Sequence, residues 1–234
     1  MKIIISNIEY VPCTIIERIN RFVVKTRIDN EDVLVHINNT GRLREYLVKG
    51  KQGFCRPING KKLKYRLFAV RDRSYGALID TFLQEKSFEI IINNKYIKWL
   101  KPCSIIRRNI RIENVVLDYL LKCRDKPVYT ELKSAVLRIN NEYASYPDAP
   151  TIRGRRQIEK LIEISRKGFK SLIVFVAGLP FVKGFKPFIE GDPVIALLLK
   201  KALENGVMIK SFNVFFDPYT RSIVLDKEDL KINI

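Results

Sequence analysis

The chain has 234 residues, of which 47% are apolar, so it is long enough to form one large or two small globular domains. Its 43 Lys and Arg residues outnumber its 25 Asp and Glu residues and leave a formal charge of +18, which favours a polyanionic partner such as nucleic acid or an anionic membrane surface. No apolar run reaches the roughly 18 residues of a membrane-spanning helix, and the N-terminus lacks the cleavage site of a signal peptide, so we expect a cytoplasmic protein.

The first 80 residues predict a small β-barrel. After an initial strand at the N-terminus, short apolar or alternating runs are separated by turn signals such as Asn59-Gly60. Five strands in so short a stretch favour the OB-fold, a five-stranded barrel found in many nucleic-acid-binding proteins. One short helix is predicted at residues 43–47. The predicted barrel strands span residues 10–16, 21–28, 33–37, 53–58 and 63–70.

Residues 81–234 predict a second domain of the α/β class with a mixed sheet, because strands alternate with helices. The first 80 residues hold 16 basic and 8 acidic side chains, a net +8, and the remainder hold 27 and 17, a net +10, so both domains could face one polyanion. Helices are predicted at 82–92 after a Thr81 cap, from Thr151 to a stop at Gly168, and at 193–205. The predicted strands span 105–112, 115–121, 128–132, 135–139, 171–176, 207–216 and 222–225.

The cysteines are far apart in the sequence and form no CxxC pair. Because His36 is the only histidine, they also lack the partners of a zinc site at workable spacing. We favour buried thiols, and disulfides stay open because intracellular proteins of hyperthermophiles use them. The four cysteines are Cys13, Cys55, Cys103 and Cys123.

One predicted hairpin carries the charged residues of a metal-dependent nuclease. Asp118 lies inside one apolar run, and Glu131 and Lys133 lie inside the next, where strand alternation places both on one face. Two carboxylates can hold Mg²⁺ or Mn²⁺, and a lysine can orient the attacking water and stabilise charge at phosphorus. Residues 229–231 repeat the acid-x-lysine spacing, so the spacing alone is a weak signal. This second copy is not a plausible site, because a predicted strand separates it from the nearest preceding candidate acid, Asp217.

Further charged residues follow the hairpin. Asp148 and a group of arginines lie at the predicted start of a helix, where unpaired N–H groups favour anions and arginine can contact phosphate. The alternative is an ordinary turn and a solvated helix face. Glu85 and Glu89 could add a metal ligand, although surface positions are the simpler interpretation. The arginines predicted to contact DNA here are Arg153, Arg155 and Arg156.

The predicted barrel offers its own candidates for nucleic-acid contact. Gly41 permits a tight turn, and Arg42, which follows it, could reach a phosphate; a purely structural turn is the alternative. Aromatic side chains on the barrel could stack on bases, although most aromatics at alternating strand positions belong to the core. The aromatic candidates are Phe22, Tyr65, Phe68 and Tyr75.

Taken together, three motifs resemble the sugar fermentation stimulation protein A family. They are residues 39–42 (Asn-Thr-Gly-Arg), Asp118 with residues 131–133 (Glu-Leu-Lys), and residues 146–149 (Tyr-Pro-Asp-Ala) running into 151–155, all in family order. The resemblance implies an N-terminal OB-like domain, a C-terminal domain with the PD-(D/E)xK nuclease fold, and an association with DNA. It assigns Asp118, Glu131 and Lys133 to the nuclease-like core and Asp148 to a neighbouring acid.

Some positions depart from the family pattern. Ser134 and Gln157 stand where the family often has asparagine and histidine, and residues 114–117 lack its Ser-Arg pair. The core triad is retained, so the departures bear on how a substrate is positioned.

The sequence therefore predicts a DNA-binding protein with a Mg²⁺- or Mn²⁺-dependent phosphodiesterase site. Asp118 and Glu131 are the predicted metal ligands, Asp148 could supply a third, and Lys133 completes the catalytic set. The alternative is a non-catalytic DNA-binding regulator that retains a nuclease fold, as the sugar-metabolism link of bacterial relatives suggests. A membrane-surface protein is weakly supported, because the basic residues do not gather on one amphipathic helix. We expect DNA as the partner, without a membrane or small-molecule cofactor, and leave oligomerisation open.

Overall fold

The N-terminal strands close into the predicted OB barrel. A computed structural model describes residues 1–234, and its barrel strands follow the order β2-β3-β4-β6-β5 before returning to β2. The closure lies between β4 and β6, where His36 is paired with Arg66 in parallel. The strands of this half are β1 (Lys2–Ile5), β2 (Val11–Asn20), β3 (Val23–Ile28), β4 (Glu31–His36), β5 (Gln52–Pro57), β6 (Tyr65–Asp72) and β7 (Tyr75–Leu78).

The predicted helix at residues 43–47 is wrong. The amides of Tyr46 and Leu47 both donate to the carbonyl of Leu43 at 2.9 Å, which makes a single turn. Leu43 itself has a φ of 50°, a left-handed conformation that a right-handed helix cannot contain. The segment therefore forms a fixed loop at the end of the barrel.

The second half is built on a mixed sheet that continues the barrel's sheet through β7, in the order β7-β15-β13-β10-β9-β8. The strands β10, β13 and β15 run parallel, whereas β8, β9 and β10 form antiparallel pairs. On the other side of β15 lies β16, which pairs with β1 at the N-terminus. The strands of this sheet are β8 (Cys103–Ile112), β9 (Val115–Cys123), β10 (Lys126–Ala135), β13 (Lys170–Ala177), β15 (Met208–Asp217) and β16 (Ser222–Lys227).

A smaller second sheet has the order β11-β12-β14-β17. The sequence patterns predicted neither β12 nor β14, which are four residues long and pair in parallel with each other. The sheet carries the chain from β10 towards the start of a helix, and so helps to place residues 146–151. Its strands are β11 (Leu137–Ile139), β12 (Tyr143–Tyr146), β14 (Gly184–Pro187) and β17 (Lys231–Ile232).

The three helices lie close to their predicted positions, and only one cap differs. Helix α1 (Thr81–Asn93) is capped by Asp80, whose side chain accepts from the amide of Leu83 at 2.9 Å, and not by Thr81. Thr151 caps α2 (Ile152–Arg166) through the amide of Gly154, and Asp192 caps α3 (Pro193–Glu204). None of the helices has the length and apolar character needed to cross a membrane.

The core has two parts, one on each face of the central sheet. Strand β13 contributes to both parts because its side chains alternate: Leu172 and Val174 belong to the part that contains α1, whereas Ile173 and Phe175 belong to the part that contains α2, α3 and the barrel interior. This sandwich of helices around the sheet fixes β10 between β9 and β13. The candidate catalytic side chains therefore project from a rigid strand.

The cysteines form two different pairs. Cys103 lies opposite Cys123 in the β8–β9 ladder, and the two form a disulfide, so the prediction of a buried thiol is wrong for both. Their separation of 20 residues gave no sign of this, because the pairing depends on the register of the strands. Cys13 and Cys55 are buried thiols, with Sγ atoms 3.0 Å apart.

Candidate active site

A cleft of about 880 Å³ lies where the barrel meets the second domain. The barrel contributes its loop 38–41 and one residue of the β2–β3 turn, and the other wall comes from β9, β10, the loop 145–151 and the start of α2. The cleft gathers most of the residues that the sequence singled out. The charged residues that line it are Arg21, Glu85, Asp118, Glu131, Lys133, Asp148 and Arg153.

The structure brings Asp118, Glu131 and Lys133 together, as the hairpin pattern predicts. The carboxylate of Asp118 on β9 accepts from the amide of Leu132 on β10 at 2.7 Å, which fixes it across the ladder. Glu131 and Lys133 project from the same face of β10, and Lys133 Nζ lies 2.5 Å from Glu131 Oε1. Both of these side chains are buried at the base of the cleft.

Burial controls the titration of the two acids. It raises the pKa of Glu131 to about 7, while the charge of Lys133 opposes that shift and the charge of Asp118 adds to it. Burial also raises the pKa of Asp118, against the effects of Lys133 and the Leu132 amide. Burial on its own would lower the pKa of Lys133, but the nearby Glu131 carboxylate is the main reason that its pKa is raised instead. The site therefore favours a cation close to its carboxylates.

Gln157 is part of the site, although the sequence marked it only as a departure from the family pattern. Its Oε1 accepts from Lys133 Nζ at 2.6 Å, and its Nε2 donates to the carbonyl of Val116 on β9 at 2.9 Å. The amide thus ties the lysine on β10 to both α2 and β9. A position 24 residues from Lys133 gives no local sequence signal for such a contact.

The acids present suit a divalent metal ion with oxygen ligands. Glu131 Oε2 is buried and has no hydrogen-bond partner, which is costly for a carboxylate unless a cation or a proton meets it. Asp118 supplies a second carboxylate at the same place, and Mg²⁺ commonly binds one or two carboxylates together with water and phosphate. No group of three or more His, Cys, Asp or Glu side chains lies close enough to form a metal site by itself.

Asp148, the suggested third ligand, is engaged with the barrel. Its Oδ2 accepts from the amide of Leu43 at 2.8 Å, and its carboxylate packs against Gly41. A Cβ atom on residue 41 would lie 2.8 Å from Asp148 Oδ2, so only glycine leaves enough room there. Asn39 extends the contact, because its side chain donates to the carbonyl of Ile79 at 3.0 Å. The loop 39–42 thus joins the barrel to the cleft.

The predicted DNA-contacting arginines divide into two groups. Arg153 and Arg156 are exposed at the start of α2, and Arg42 is exposed on the barrel loop. Arg155 instead donates to the buried carboxylate of Asp192 from Nε at 3.0 Å and from Nη2 at 2.8 Å. Because that contact stabilises the cap of α3, the guanidinium of Arg155 is used within the fold.

The other candidate acids also differ in their surroundings. Glu85 lines the cleft and forms an ion pair with Arg108 at 3.3 Å, whereas Glu89 pairs with Arg108 at 3.1 Å and accepts from the hydroxyl of Tyr119. Asp229, the acid of the second acid-x-lysine pattern at residues 229–231, lies outside the cleft in a surface ion pair with Lys210 at 2.7 Å.

Of the four aromatic residues considered for base stacking, one is well exposed. Phe68 is 0% exposed and belongs to the core, so it cannot meet a base. Tyr65 is partly buried against the core, and Tyr75 packs edge-on against Phe215 and two further aromatic rings. Phe22 is 51% exposed, in the turn between β2 and β3.

Comparison with known proteins matches two family models to this chain. Residues 82–220 match the family described as "Sugar fermentation stimulation protein RE domain", and residues 16–79 match "SfsA N-terminal OB domain". The chain is 45% identical over 206 residues to the sugar fermentation stimulation protein homolog of Pyrococcus furiosus, covering 88% of this chain and 89% of that protein. The homolog of Archaeoglobus fulgidus is 42% identical over 224 residues, which cover 96% of each. A solved structure described as "The structure of Pyrococcus Furiosus SfsA in complex with Ca2+" has a TM-score of 0.96, with 40% identity and 100% coverage of both chains.

Proposed function

The chain belongs to the sugar fermentation stimulation protein family, and from that premise we propose that it binds DNA and hydrolyses its phosphodiester bonds with a divalent metal ion. One observation carries the proposal. Asp118, Glu131 and Lys133 converge at the base of a cleft, and a buried oxygen of Glu131 is left without a partner. An acid pair beside a lysine can hold a divalent ion and stabilise charge at phosphorus, as metal-dependent phosphodiester hydrolysis requires.

Each side chain has a defined part in this proposal. Asp118 and Glu131 hold the ion, which when bound supplies Lewis acidity and a water of lowered pKa. Lys133 presents a positive charge where the phosphate gains negative charge during attack. Gln157 keeps Lys133 Nζ in place through the bond of 2.6 Å, so the lysine need not reorganise when the substrate arrives.

The charge of the chain supports DNA as the substrate. A net charge of +18 favours a polyanion, and exposed arginines at the cleft wall and on the barrel loop can meet phosphates on both sides. The relative from Pyrococcus furiosus was solved in complex with Ca²⁺, which is consistent with a site for a divalent ion in this chain. The arginines proposed to contact phosphate are Arg42, Arg153 and Arg156.

A cleavage assay tests this proposal. Labelled single-stranded, duplex and branched DNA are incubated with the protein and Mn²⁺, with and without a chelator. We expect metal-dependent cleavage that is lost in Glu131→Gln and in Lys133→Met. Asp229→Asn is the matched control, because Asp229 belongs to the second acid-x-lysine pattern, which lies outside the cleft. This variant should cleave like the unaltered protein. Cleavage that persists unchanged in both site variants would refute the assignment.

A DNA-binding regulator without turnover is the second candidate. It is favoured by the engagement of Lys133, which already bonds to Glu131 and Gln157, and by the use of Asp148 at the barrel. This candidate predicts that Mn²⁺ and DNA both bind and that no product forms with any of the three DNA forms. The assay above therefore separates the two functions.

A further inference from the structure

The turn between β2 and β3 places an arginine at the cleft and an exposed phenylalanine directly after it. The turn consists of Arg21 and Phe22, between the paired residues Asn20 and Val23. Arg21 lines the cleft, and Phe22, its neighbour, is 51% exposed. The barrel thus presents a cation that lines the cleft and, at the next residue of the turn, an exposed aromatic ring.

This turn is held firmly, so the exposure of Phe22 belongs to an ordered part of the fold. The side chain of Asn20 accepts from the amide of Phe22 at 2.8 Å, and the carbonyl of Phe22 accepts from the amide of Ile37 at 2.9 Å. The guanidinium of Arg18 binds the turn to the loop 39–42. It donates to the carbonyls of Asn20 and Arg21, each at 3.0 Å, to those of Asn39 and Arg42, each at 3.1 Å, and to that of Gly41.

The same loop connects the turn to the cleft. Asp148, which lines the cleft, accepts from the amide of Leu43 just beyond the loop, and Asn39 Nδ2 donates to Ser134 Oγ on β10 at 3.5 Å. The position of Phe22 is therefore fixed relative to the candidate catalytic residues. DNA that contacts Arg21 in the cleft therefore comes within reach of Phe22, the next residue of the turn.

We propose that Phe22, with Arg21, forms a stacking site for an unpaired nucleobase, so that the protein prefers DNA with a single-stranded part to blunt duplex. The inference rests on the proposed function of the cleft, and it names the substrate class of that site. An exposed phenyl ring offers a stacking face to any base, and the adjacent arginine can contact the phosphate. A base within a duplex is stacked on both faces and cannot use the ring, whereas an unpaired base can.

Phe169 provides a matched control for this ring. It is 49% exposed, close to the value for Phe22, but it precedes β13 and packs edge-on against Tyr129, and neither it nor its chain neighbours line the cleft, whereas Phe22 directly follows the cleft-lining Arg21. Phe22→Ala and Phe169→Ala remove equal side chains of almost equal exposure. A difference between them in DNA binding therefore reports position at the cleft and not a general loss of apolar surface.

Fluorescence anisotropy can test the stacking site by measuring the affinity of the protein for different forms of DNA. Labelled single-stranded DNA, blunt duplex and duplex with a single-stranded overhang are titrated with the intact protein in Ca²⁺ and in the absence of metal. We expect the unaltered protein to bind the single-stranded and overhang forms more tightly. Phe22→Ala should weaken their binding at least about fivefold and change blunt-duplex binding less than about twofold. Phe22→Trp should retain the preference, and Phe169→Ala should match the unaltered protein.

Photocrosslinking gives a second measurement that does not depend on a variant. DNA with 5-iododeoxyuridine in the overhang should crosslink to the tryptic peptide of residues 22–25, because trypsin cleaves after Arg21 and Lys25. An unchanged preference in Phe22→Ala, or crosslinks only to other peptides, would overturn the stacking site while leaving DNA binding intact. Failure of the unaltered protein to bind any DNA form would instead overturn the proposed function, and the stacking site with it.

Discussion

The affinity for Mn²⁺ should fall steeply as the solution is acidified, because the metal must displace a proton from Glu131. Burial raises the pKa of this acid to about 7, far above the range of an exposed glutamate. Only the ionised carboxylate binds the metal, and its fraction falls about tenfold between about pH 8 and about pH 6. The apparent Kd for Mn²⁺ should therefore rise at least about tenfold over this interval. The raised pKa of Asp118 acts in the same direction.

The electron paramagnetic resonance signal of free Mn²⁺ gives the Kd at each pH without DNA or turnover. Glu131→Gln should remove tight binding at both pH values. His36→Gln is the matched control, because His36 is the only histidine and lies in the barrel, so this variant should keep the full pH dependence. A Kd that changes less than about twofold in the unaltered protein, or a pH dependence that disappears in His36→Gln, would refute the assignment to Glu131.

Three further results are expected. Gly41→Ala should lower the free energy of unfolding by about 1–3 kcal/mol in denaturant titrations, because its Cβ would lie 2.8 Å from Asp148 Oδ2. A cost that is additive with that of Asp148→Ala would argue against this contact. Replacing Cys103 and Cys123 with serine should cost about 3 kcal/mol, since the disulfide closes a loop of 20 residues, and equal midpoints for the two proteins would contradict this. Gln157→Leu should slow cleavage about 10- to 100-fold at unchanged Mn²⁺ affinity, because Lys133 loses a hydrogen-bond acceptor. Gln157→His should recover part of the cleavage rate. Equal cleavage rates for Gln157→Leu and the unaltered protein would exclude this positioning role.

The barrel could be predicted because its signals are local. Each strand is a short apolar or alternating run that ends at a turn signal, so its position follows from the nearby sequence alone. The helix predicted at residues 43–47 does not form because Leu43 has a positive φ, and a leucine in the sequence gives no sign of that conformation. The strands β12 and β14 were missed because each has four residues, and their pairing comes from the tertiary fold.

The candidate site shows the same division between local and distant contacts. Asp118, Glu131 and Lys133 could be placed together because two adjacent strands and a period of two determine their relative positions. The bond between Lys133 and Gln157 spans 24 residues, and the attachment of Asp148 to the barrel spans 105, so neither has a signature in the nearby sequence. Arg155 likewise differs from the exposed arginines of α2 because it bonds to Asp192, the cap residue of α3, which lies 37 residues away in the sequence.

The most direct test of the metal site is the position of bound Mn²⁺. Crystals of the protein soaked in Mn²⁺ would give an anomalous difference peak, and we expect one peak at about 2.0–2.6 Å from carboxylate oxygens of both Asp118 and Glu131. The peak should be absent from crystals of Glu131→Gln. A peak elsewhere, or full occupancy in that variant, would contradict the assignment of these two acids as the metal ligands.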